Sequence, residues 1–210
     1  MAAVEAPAFP GRPVNPRLDR AFFARSSELV APDLLGRNFV VVSAAGGRLA
    51  IRVVETEAYG PEDPASHAFG GPTRRTEVMF GPAGHLYVYF VYGMHWCANV
   101  TTGRVGEGSG VLLRAGEPFE GLDEISKNRG GREPLTTGPG RLAQALQLTG
   151  NDTGVDVVVG HRCWFELGTP VPAGSAASGP RVGIRRAVET PWRFWEPGSR
   201  FVSRPPISHW

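Results

Sequence analysis

The chain has 210 residues, of which 41% are hydrophobic and 20% charged, enough for one globular core and too apolar for disorder throughout. Its 28 Gly and 19 Pro argue against a long helical bundle or a coiled coil and favour short strands joined by turns. A formal net charge of +2, with a single Lys among the 22 basic residues, permits contact with phosphates without requiring it.

The N-terminal part of the sequence changes character after about twenty residues. Four prolines and no periodic pattern predict a flexible lead-in over residues 1–20. A domain over residues 21–204 and a short tail over 205–210 would follow. Apolar spacing predicts a helix over about residues 26–35, which Gly36 would end.

The remaining pattern predicts short strands separated by turns and loops. Strands are predicted over residues 38–43, 48–58, 86–101 (a pair or one bent strand), 110–115, 155–159, 163–167 and 181–184, a second helix over 141–148, and loops over 60–85, 126–139 and 170–180. This mixture predicts an α+β fold: a single domain with a curved, mostly antiparallel sheet, flanking helices and a protruding β-hairpin.

The strand predicted over residues 48–58 carries carboxylates among its apolar residues. Alternation places one row of side chains on one face: Leu49, Ile51, Val53, Glu55, Glu57 and Tyr59. If this face points inward, Glu57 lies near the edge of the core, where a carboxylate can act as a general base. Alternatively the face turns outward after Val53 and leaves both glutamates solvated, which the pattern by itself favours.

Aromatic residues are concentrated between residues 59 and 96. They are Tyr59, Phe69, Phe80, Tyr87, Tyr89, Phe90, Tyr92 and Trp96. Tyrosine in strands is ordinary packing material, and taken alone the cluster favours that interpretation. Arginines and histidines lie between the rings, however, at Arg74, Arg75, His67, His85 and His95. This combination is similar to a nucleobase pocket beside a path for phosphates.

Signals for metal binding, export and membrane insertion are weak. The pairs His95-x-Cys97 and His161-x-Cys163 have the wrong spacing for a zinc motif, so we expect no metal and no cofactor. Two cysteines are too few for a disulfide scaffold, and the N-terminus lacks a signal-peptide pattern. The longest apolar run, residues 86–100, is too short to cross a bilayer. We therefore expect a cytoplasmic protein without a membrane partner.

Eight short motifs follow one another in order between residues 34 and 204. They are VVETEAYGPED (residues 53–63), MFGP (79–82), LYVY (86–89), YGMH (92–95), VLLRA (111–115), EPFEGL (117–122), GPGRL (138–142) and PRVGI (180–184). Each motif is weak alone, but the ordered set resembles the alkyladenine (3-methyladenine) DNA glycosylase family.

The resemblance implies a monofunctional glycosylase that flips alkylated or deaminated purines out of duplex DNA and hydrolyses the N-glycosidic bond. Glu57 would deprotonate the water that attacks C1′ of the damaged nucleotide. Arg114 and the main-chain carbonyl of Val182 would help to hold this water. A lyase step needs an amine, and the one lysine, Lys127, lies in a predicted loop outside every motif, so we expect the DNA backbone to stay intact.

The resemblance also implies the walls of a base-binding pocket. Tyr59, His67 and Tyr89 would stack on the flipped base, and His67 would also contact its edge. Asn99 would exclude the exocyclic amine of normal guanine, and Tyr92 would enter the gap left in the duplex. The chain is one residue shorter than the family pattern between Tyr59 and His67, which can displace His67 slightly.

The implied partner is double-stranded DNA that contains damaged purines, bound by a monomer in a bacterial cytoplasm. Which lesion is preferred does not follow from the sequence. Two alternative functions remain open: a nucleic-acid-binding module without catalysis, and a hydrolase that acts on free nucleosides.

Overall fold

A computed structural model describes residues 15–203, and within this range the chain forms a curled sheet with short helices. The strands are β1 (Asn38–Val42), β2 (Arg48–Tyr59), β3 (Leu86–Val91), β4 (His95–Thr102), β5 (Ser109–Glu120), β6 (Cys163–Glu166), β7 (Ala177–Gly179) and β8 (Arg193–Trp195). The helices are α1 (Arg20–Phe23), α2 (Ser27–Asp33), α3 (Leu122–Asn128) and α4 (Pro139–Ala145), with 3-10 turns at Glu77–Phe80 and Gly150–Asp152.

The sheet runs in the order β3-β4-β5-β2-β1-β6, and β8 pairs with both β2 and β7. All these pairings are antiparallel. The central strand β2 pairs with β5 along one edge, and with β1 and then β8 along the other. The predicted α+β class and curved antiparallel sheet are therefore confirmed.

Two adjacent irregularities in the pairing of β2 with β5 place two glutamates on the face of β2 opposite the main core. Val53 is opposite Gly116 and Glu55 is opposite Ala115, so Val54 has no partner on β5. The next pair is Thr56 with Leu113, so Arg114 on β5 has no partner on β2. Such bulges exchange the two faces of a strand.

The exchange explains why the predicted row of six side chains on one face of β2 is wrong. Val53 and Ala58 both belong to the main core cluster, although strict alternation would place an odd-numbered and an even-numbered residue on opposite faces. Thr56 lies on the same face as Ala58, and its hydroxyl donates to the carbonyl of Ala31 in α2. Glu55 and Glu57 therefore share the other face. Both are fully buried, so the solvated alternative that the pattern favoured is also wrong.

Two predicted strands are absent from the described structure. Residues 155–159 form only an isolated bridge, between Asp156 and His85, followed by a turn. The turn forms because the carboxylate of Asp156 accepts hydrogen bonds from the amides of Val158 (2.8 Å) and Val159 (3.2 Å). Residues 181–184 are also irregular, because Gly183 adopts a left-handed conformation with φ of 78°. The C-terminal strand next to β2 is instead β8, which the local sequence pattern does not indicate.

Other boundaries differ because tertiary contacts override weak local signals. The predicted loop over 126–139 begins inside α3, which forms around the fully buried Ile125. The predicted loop over 170–180 contains β7, a strand of three residues that pairs with β8. The predicted strand over 110–115 extends to Glu120, since it pairs with β2 along most of its length.

The hairpin of β3 and β4 lies at one edge of the sheet and protrudes, as predicted. At its tip Tyr92 (φ 54°) and Gly93 (φ 66°) both have left-handed backbones. Glycine adopts this conformation freely, whereas it is uncommon for tyrosine. The side chains of Tyr92 and Met94 are 77% and 69% exposed, so the hairpin presents two large apolar groups to solvent.

The predicted tail over 205–210 and most of the predicted lead-in lie outside the described residues. Where the lead-in is described, Leu18 is buried and its amide donates to the carbonyl of Phe165 at 3.0 Å. Between residues 15 and 203 no helix has the length and apolar character needed to cross a membrane.

Candidate active site

A pocket of about 640 Å³ opens beside the β3–β4 hairpin. It is lined by Tyr59, residues 64–67, Met79, Tyr87, Tyr89, Val91, Tyr92, Cys97, Asn99, Leu112, Arg114, Pro139 and residues 182–186. These residues come from β2 to β5, from the β3–β4 turn, from the loop after β2, from the start of α4 and from the segment before β8. The sheet thus brings together side chains that are more than a hundred residues apart in the chain.

Glu57 lies directly behind the lining of this pocket, and three of the pocket residues contact it. The hydroxyl of Tyr59 donates to Oε2 at 2.8 Å, and the amide of Val182 donates to Oε1 at 2.7 Å. Nη1 of Arg114 lies 3.2 Å from Oε1. Val182 makes this contact with its amide nitrogen, whereas the role expected from the family resemblance belongs to its carbonyl oxygen.

Arg114 is held from its other side by a second buried carboxylate. Its Nε donates to Oε1 of Glu55 at 2.9 Å, and the same oxygen accepts from Nε of Arg193 at 2.7 Å. Burial alone would lower the pKa of Arg114, but the charges of Glu57 and Glu55 raise it above its usual value. Arg114 is therefore a permanent cation between two carboxylates.

Ser203 completes this network near the C-terminal end of the described chain. Its amide donates to Oε2 of Glu55 at 2.6 Å, and its hydroxyl donates to Oε1 at 2.8 Å. Its carbonyl accepts a hydrogen bond from Arg193 at 2.6 Å. Ser203 and Arg193 were not predicted as site residues, because neither lies in a recognisable motif. Glu55 could have been identified, since it lies two residues before Glu57.

Aromatic rings form one wall of the pocket. His67 and Tyr89 make a T-shaped contact with their ring centroids 4.5 Å apart, and Tyr87 stacks on Tyr89 at 5.5 Å. A hydrogen bond of 3.1 Å joins Nδ1 of His67 to the hydroxyl of Tyr87. His67 is exposed on the open pocket, and desolvation followed by the charge of Arg75 holds its pKa below the usual value. The wall is thus uncharged near neutral pH.

The remaining predicted residues also lie at the pocket. Asn99 is buried in β4, and its side-chain amide donates to the carbonyl of Tyr87 at 3.1 Å. Tyr92 lines the rim from the hairpin tip. The structure therefore brings seven of the eight predicted site residues to the pocket surface and places the eighth, Glu57, directly behind it.

Histidine–cysteine pairs and a lysine were the other groups in the sequence considered for chemistry. No cluster of three or more His, Cys, Asp or Glu side chains that could hold a metal ion occurs among residues 15–203. Cys97 lines the pocket, but burial raises the pKa of its thiol to about 11. Cys163 is buried in the core instead. Lys127 is exposed on α3 and is not part of the pocket lining.

The fold and the site together define an α+β protein that holds a buried carboxylate behind an aromatic pocket, an arrangement that suits the enclosure of a planar molecule. A sequence model of the family described as Methylpurine-DNA glycosylase (MPG) matches residues 21–200. The chain belongs to this family. The predicted family resemblance and the predicted enzyme class, a hydrolase of N-glycosyl bonds, are thereby confirmed.

Curated relatives from several bacteria agree with this membership. The chain is 47% identical over 209 residues to a protein of Burkholderia lata, with 95% of each chain covered. It is 49% identical over 191 residues to one of Burkholderia cenocepacia, covering 88% of this chain and 89% of the relative. It is 47% identical over 192 residues to one of Agrobacterium fabrum, covering 90% of this chain and 94% of the relative. Each is named "Putative 3-methyladenine DNA glycosylase".

Proposed function

We propose that the protein is a monofunctional DNA glycosylase that flips alkylated or deaminated purines out of duplex DNA and cleaves their N-glycosidic bond with a water activated by Glu57. The observation that carries this proposal is the position of Glu57, fully buried behind an aromatic pocket and held by three pocket residues. The family membership supports the same chemistry.

The proposed reaction uses the carboxylate twice. Cleavage of an N-glycosidic bond passes through an oxocarbenium-like state, whose positive charge a nearby carboxylate stabilises. The same carboxylate accepts the proton of the water that attacks C1′. Arg114 would place its positive charge beside Glu57, 3.2 Å from Oε1, and orient the water together with the carbonyl of Val182. The purine leaves with the electrons of the broken bond.

The proposed binding mode uses the walls of the pocket. Tyr59, His67 and Tyr89 would stack on the flipped purine, since aromatic faces attract flat and cationic rings. Asn99 would oppose the exocyclic amine of normal guanine. Tyr92 would fill the gap in the duplex, for which its 77% exposure at the hairpin tip is suited. We further propose that the protein acts as a monomer on damaged DNA in a bacterial cytoplasm, consistent with its bacterial relatives.

A single-turnover assay on a duplex with one hypoxanthine or one ethenoadenine tests the proposal. Wild type should release the base, and Glu57→Gln should be about 100- to 10,000-fold slower, because that is the usual contribution of a general base. Affinity for the damaged duplex should persist. The matched control is Glu62→Gln, the same substitution at an exposed position of the following loop, which should excise at the wild-type rate.

The other possible outcomes separate the alternatives. Equal excision by wild type and Glu57→Gln would remove Glu57 from the proposed role. Binding without release by the wild type would favour a binding module, and turnover of free nucleosides alone would favour a nucleoside hydrolase. Borohydride added to the reaction should trap no protein on DNA, because the single lysine lies outside the pocket. Trapping would show a lyase step.

A further inference from the structure

A buried ion pair behind the pocket joins the loop after β2 to the segment before β8. Oδ1 of Asp63 accepts a hydrogen bond from Nη2 of Arg181 at 2.9 Å, and Oδ2 accepts a second from Nη1. Nη1 also donates to the carbonyl of Ala58 at 2.9 Å. Burial alone would lower the pKa of Arg181, but Asp63 raises it above its usual value. Arg181 is therefore a permanent cation at this position.

This ion pair is connected to two of the donors that hold Glu57. The guanidinium carbon of Arg181 is 4.7 Å from the ring centroid of Tyr59, whose hydroxyl donates to one oxygen of Glu57. The residue after Arg181 is Val182, whose amide donates to the other oxygen. A displacement of Arg181 would therefore move the donors to both oxygens of one carboxylate.

Asp63 connects the same pair to the aromatic wall. Its Oδ1 accepts a hydrogen bond from the amide of Ala65 at 3.0 Å, and its carbonyl accepts one from the amide of Ser66 at 2.8 Å. These contacts shape the turn that leads into His67. Neither Asp63 nor Arg181 lines the pocket, so neither side chain is placed to touch a bound base.

We propose that Asp63 and Arg181 are positioning residues, which hold the carboxylate of Glu57 in its reactive orientation through Tyr59 and Val182. The proposal rests on the proposed function, because it assumes that Glu57 is the general base. Its physical basis is that a misplacement of about 1 Å in a catalytic group can cost about 100-fold in rate. The ion pair thus contributes to the rate of bond cleavage more than to DNA binding.

Two single variants and their combination test the proposal. Asp63→Asn keeps the size of the side chain and removes its charge, and Arg181→Lys keeps the charge but loses the bidentate, planar contact. Each should excise hypoxanthine from a duplex about 10- to 100-fold more slowly at saturating protein. Affinity for that duplex should change by less than about threefold. The double variant should be no slower than the slower single variant, because both act through one contact.

The matched control breaks a comparable ion pair far from the pocket. Glu166 lies in β6 and contacts Arg48, at the opposite end of β2 from Glu57, at 2.9 Å. Glu166→Gln should lower the free energy of unfolding in urea without changing the single-turnover rate of the folded protein. If the excision rate of every variant fell only in proportion to the fraction of protein that is folded, Asp63 and Arg181 would have a purely structural role. That result would overturn the proposal.

Two further results would separate this inference from the proposed function. If folded Asp63→Asn and Arg181→Lys excised at the wild-type rate while Glu57→Gln was inactive, only the positioning role would be overturned. If their rate losses multiplied in the double variant, the two residues would act independently, which would also overturn it. If wild type released no base, or Glu57→Gln were fully active, the proposed function itself would fail.

Discussion

Two networks of buried charge lie at opposite ends of β2. At its C-terminal end Glu55 and Glu57 contact Arg114, and Arg193 joins Glu55. At its N-terminal end Arg48 bridges two carboxylates. Its Nε is 2.8 Å from Glu120 and its Nη2 is 2.9 Å from Glu166. In both networks the carboxylates balance the buried arginine charge. They raise the pKa of Arg48 and of Arg114, although burial alone would lower it.

The two networks differ in what lies next to them. Arg48 is 5.4 Å from the ring centroid of Trp164, whose indole nitrogen donates to Glu166 at 2.9 Å. None of these three residues lines the pocket, whereas Arg114 does and Glu57 is held by pocket residues. Buried charge is therefore a poor marker of a reactive site by itself. An adjoining cavity of suitable shape and chemistry is what distinguishes the network around Glu57.

The largest expected effect is on the free energy of unfolding of Glu55→Gln. Removal of this carboxylate leaves Arg193 and Arg114 buried with one fewer negative charge, and breaking a buried pair typically costs about 3–5 kcal/mol. Urea denaturation followed by circular dichroism measures the loss. Excision by the protein that remains folded should also fall, because Arg114 loses its support opposite Glu57.

Glu166→Gln provides the comparison from the other network. It should also destabilise the protein, but folded protein should excise a damaged base at the wild-type rate. Two results would count against a distinction between the networks. One is a stable and fully active Glu55→Gln variant, and the other is an equal loss of excision rate in the two variants.

The second prediction concerns the hairpin tip. Tyr92→Ala should weaken capture of the flipped base by about 1–3 kcal/mol, the usual value of a base–aromatic stack, and should affect the bond-breaking step less. Fluorescence of a base analogue placed opposite or beside the lesion reports flipping. Phe119→Ala is the control, because Phe119 is also an exposed aromatic but lies outside the pocket. Unchanged flipping by Tyr92→Ala would refute the proposed wedge.

Local pattern was sufficient for the larger elements of the fold. Alternation and turn residues located β1, most of β2 and the β3–β4 hairpin, because these strands have apolar residues at regular spacing between glycine-containing turns. β7 and β8 have three residues each and no pattern that could distinguish them from loop. They form because β2 offers an edge for β8 to pair with. This is tertiary information that local sequence does not contain.

The site was predicted from ordered motifs rather than from residue pattern. Pattern alone placed Glu57 on the face with Val53 and favoured a solvated carboxylate, because nothing in the sequence indicates a bulge at Val54. The motifs instead singled out Glu57 as the general base, since they identify positions in a known arrangement, and its burial is a finding of the structure. They did not identify Arg193 or Ser203, which reach Glu55 from β8 and from the end of the described chain.

The smallest expected effect is a pH dependence of lesion binding that arises from His67. In the free protein desolvation and Arg75 hold the pKa of His67 below its usual value of 6.5. A stacked base would bury the ring further and lower this pKa again, so the complex would bind fewer protons than the free protein. Affinity for a hypoxanthine duplex should therefore fall as the pH drops below about 6.5, by at most about tenfold per pH unit because one proton is involved.

The comparison with an undamaged duplex isolates this effect from general electrostatics. Acidification adds positive charge to the protein and strengthens its contact with any DNA. The quantity to measure is therefore the affinity for the hypoxanthine duplex divided by the affinity for the undamaged duplex. This ratio should fall with acid in the wild type and stay flat in His67→Gln. A ratio that rises with acid in the wild type would mean that a charged His67 donates a hydrogen bond to the base. In that case His67 would act through recognition of the base edge, and stacking by a neutral ring would be excluded as its main contribution.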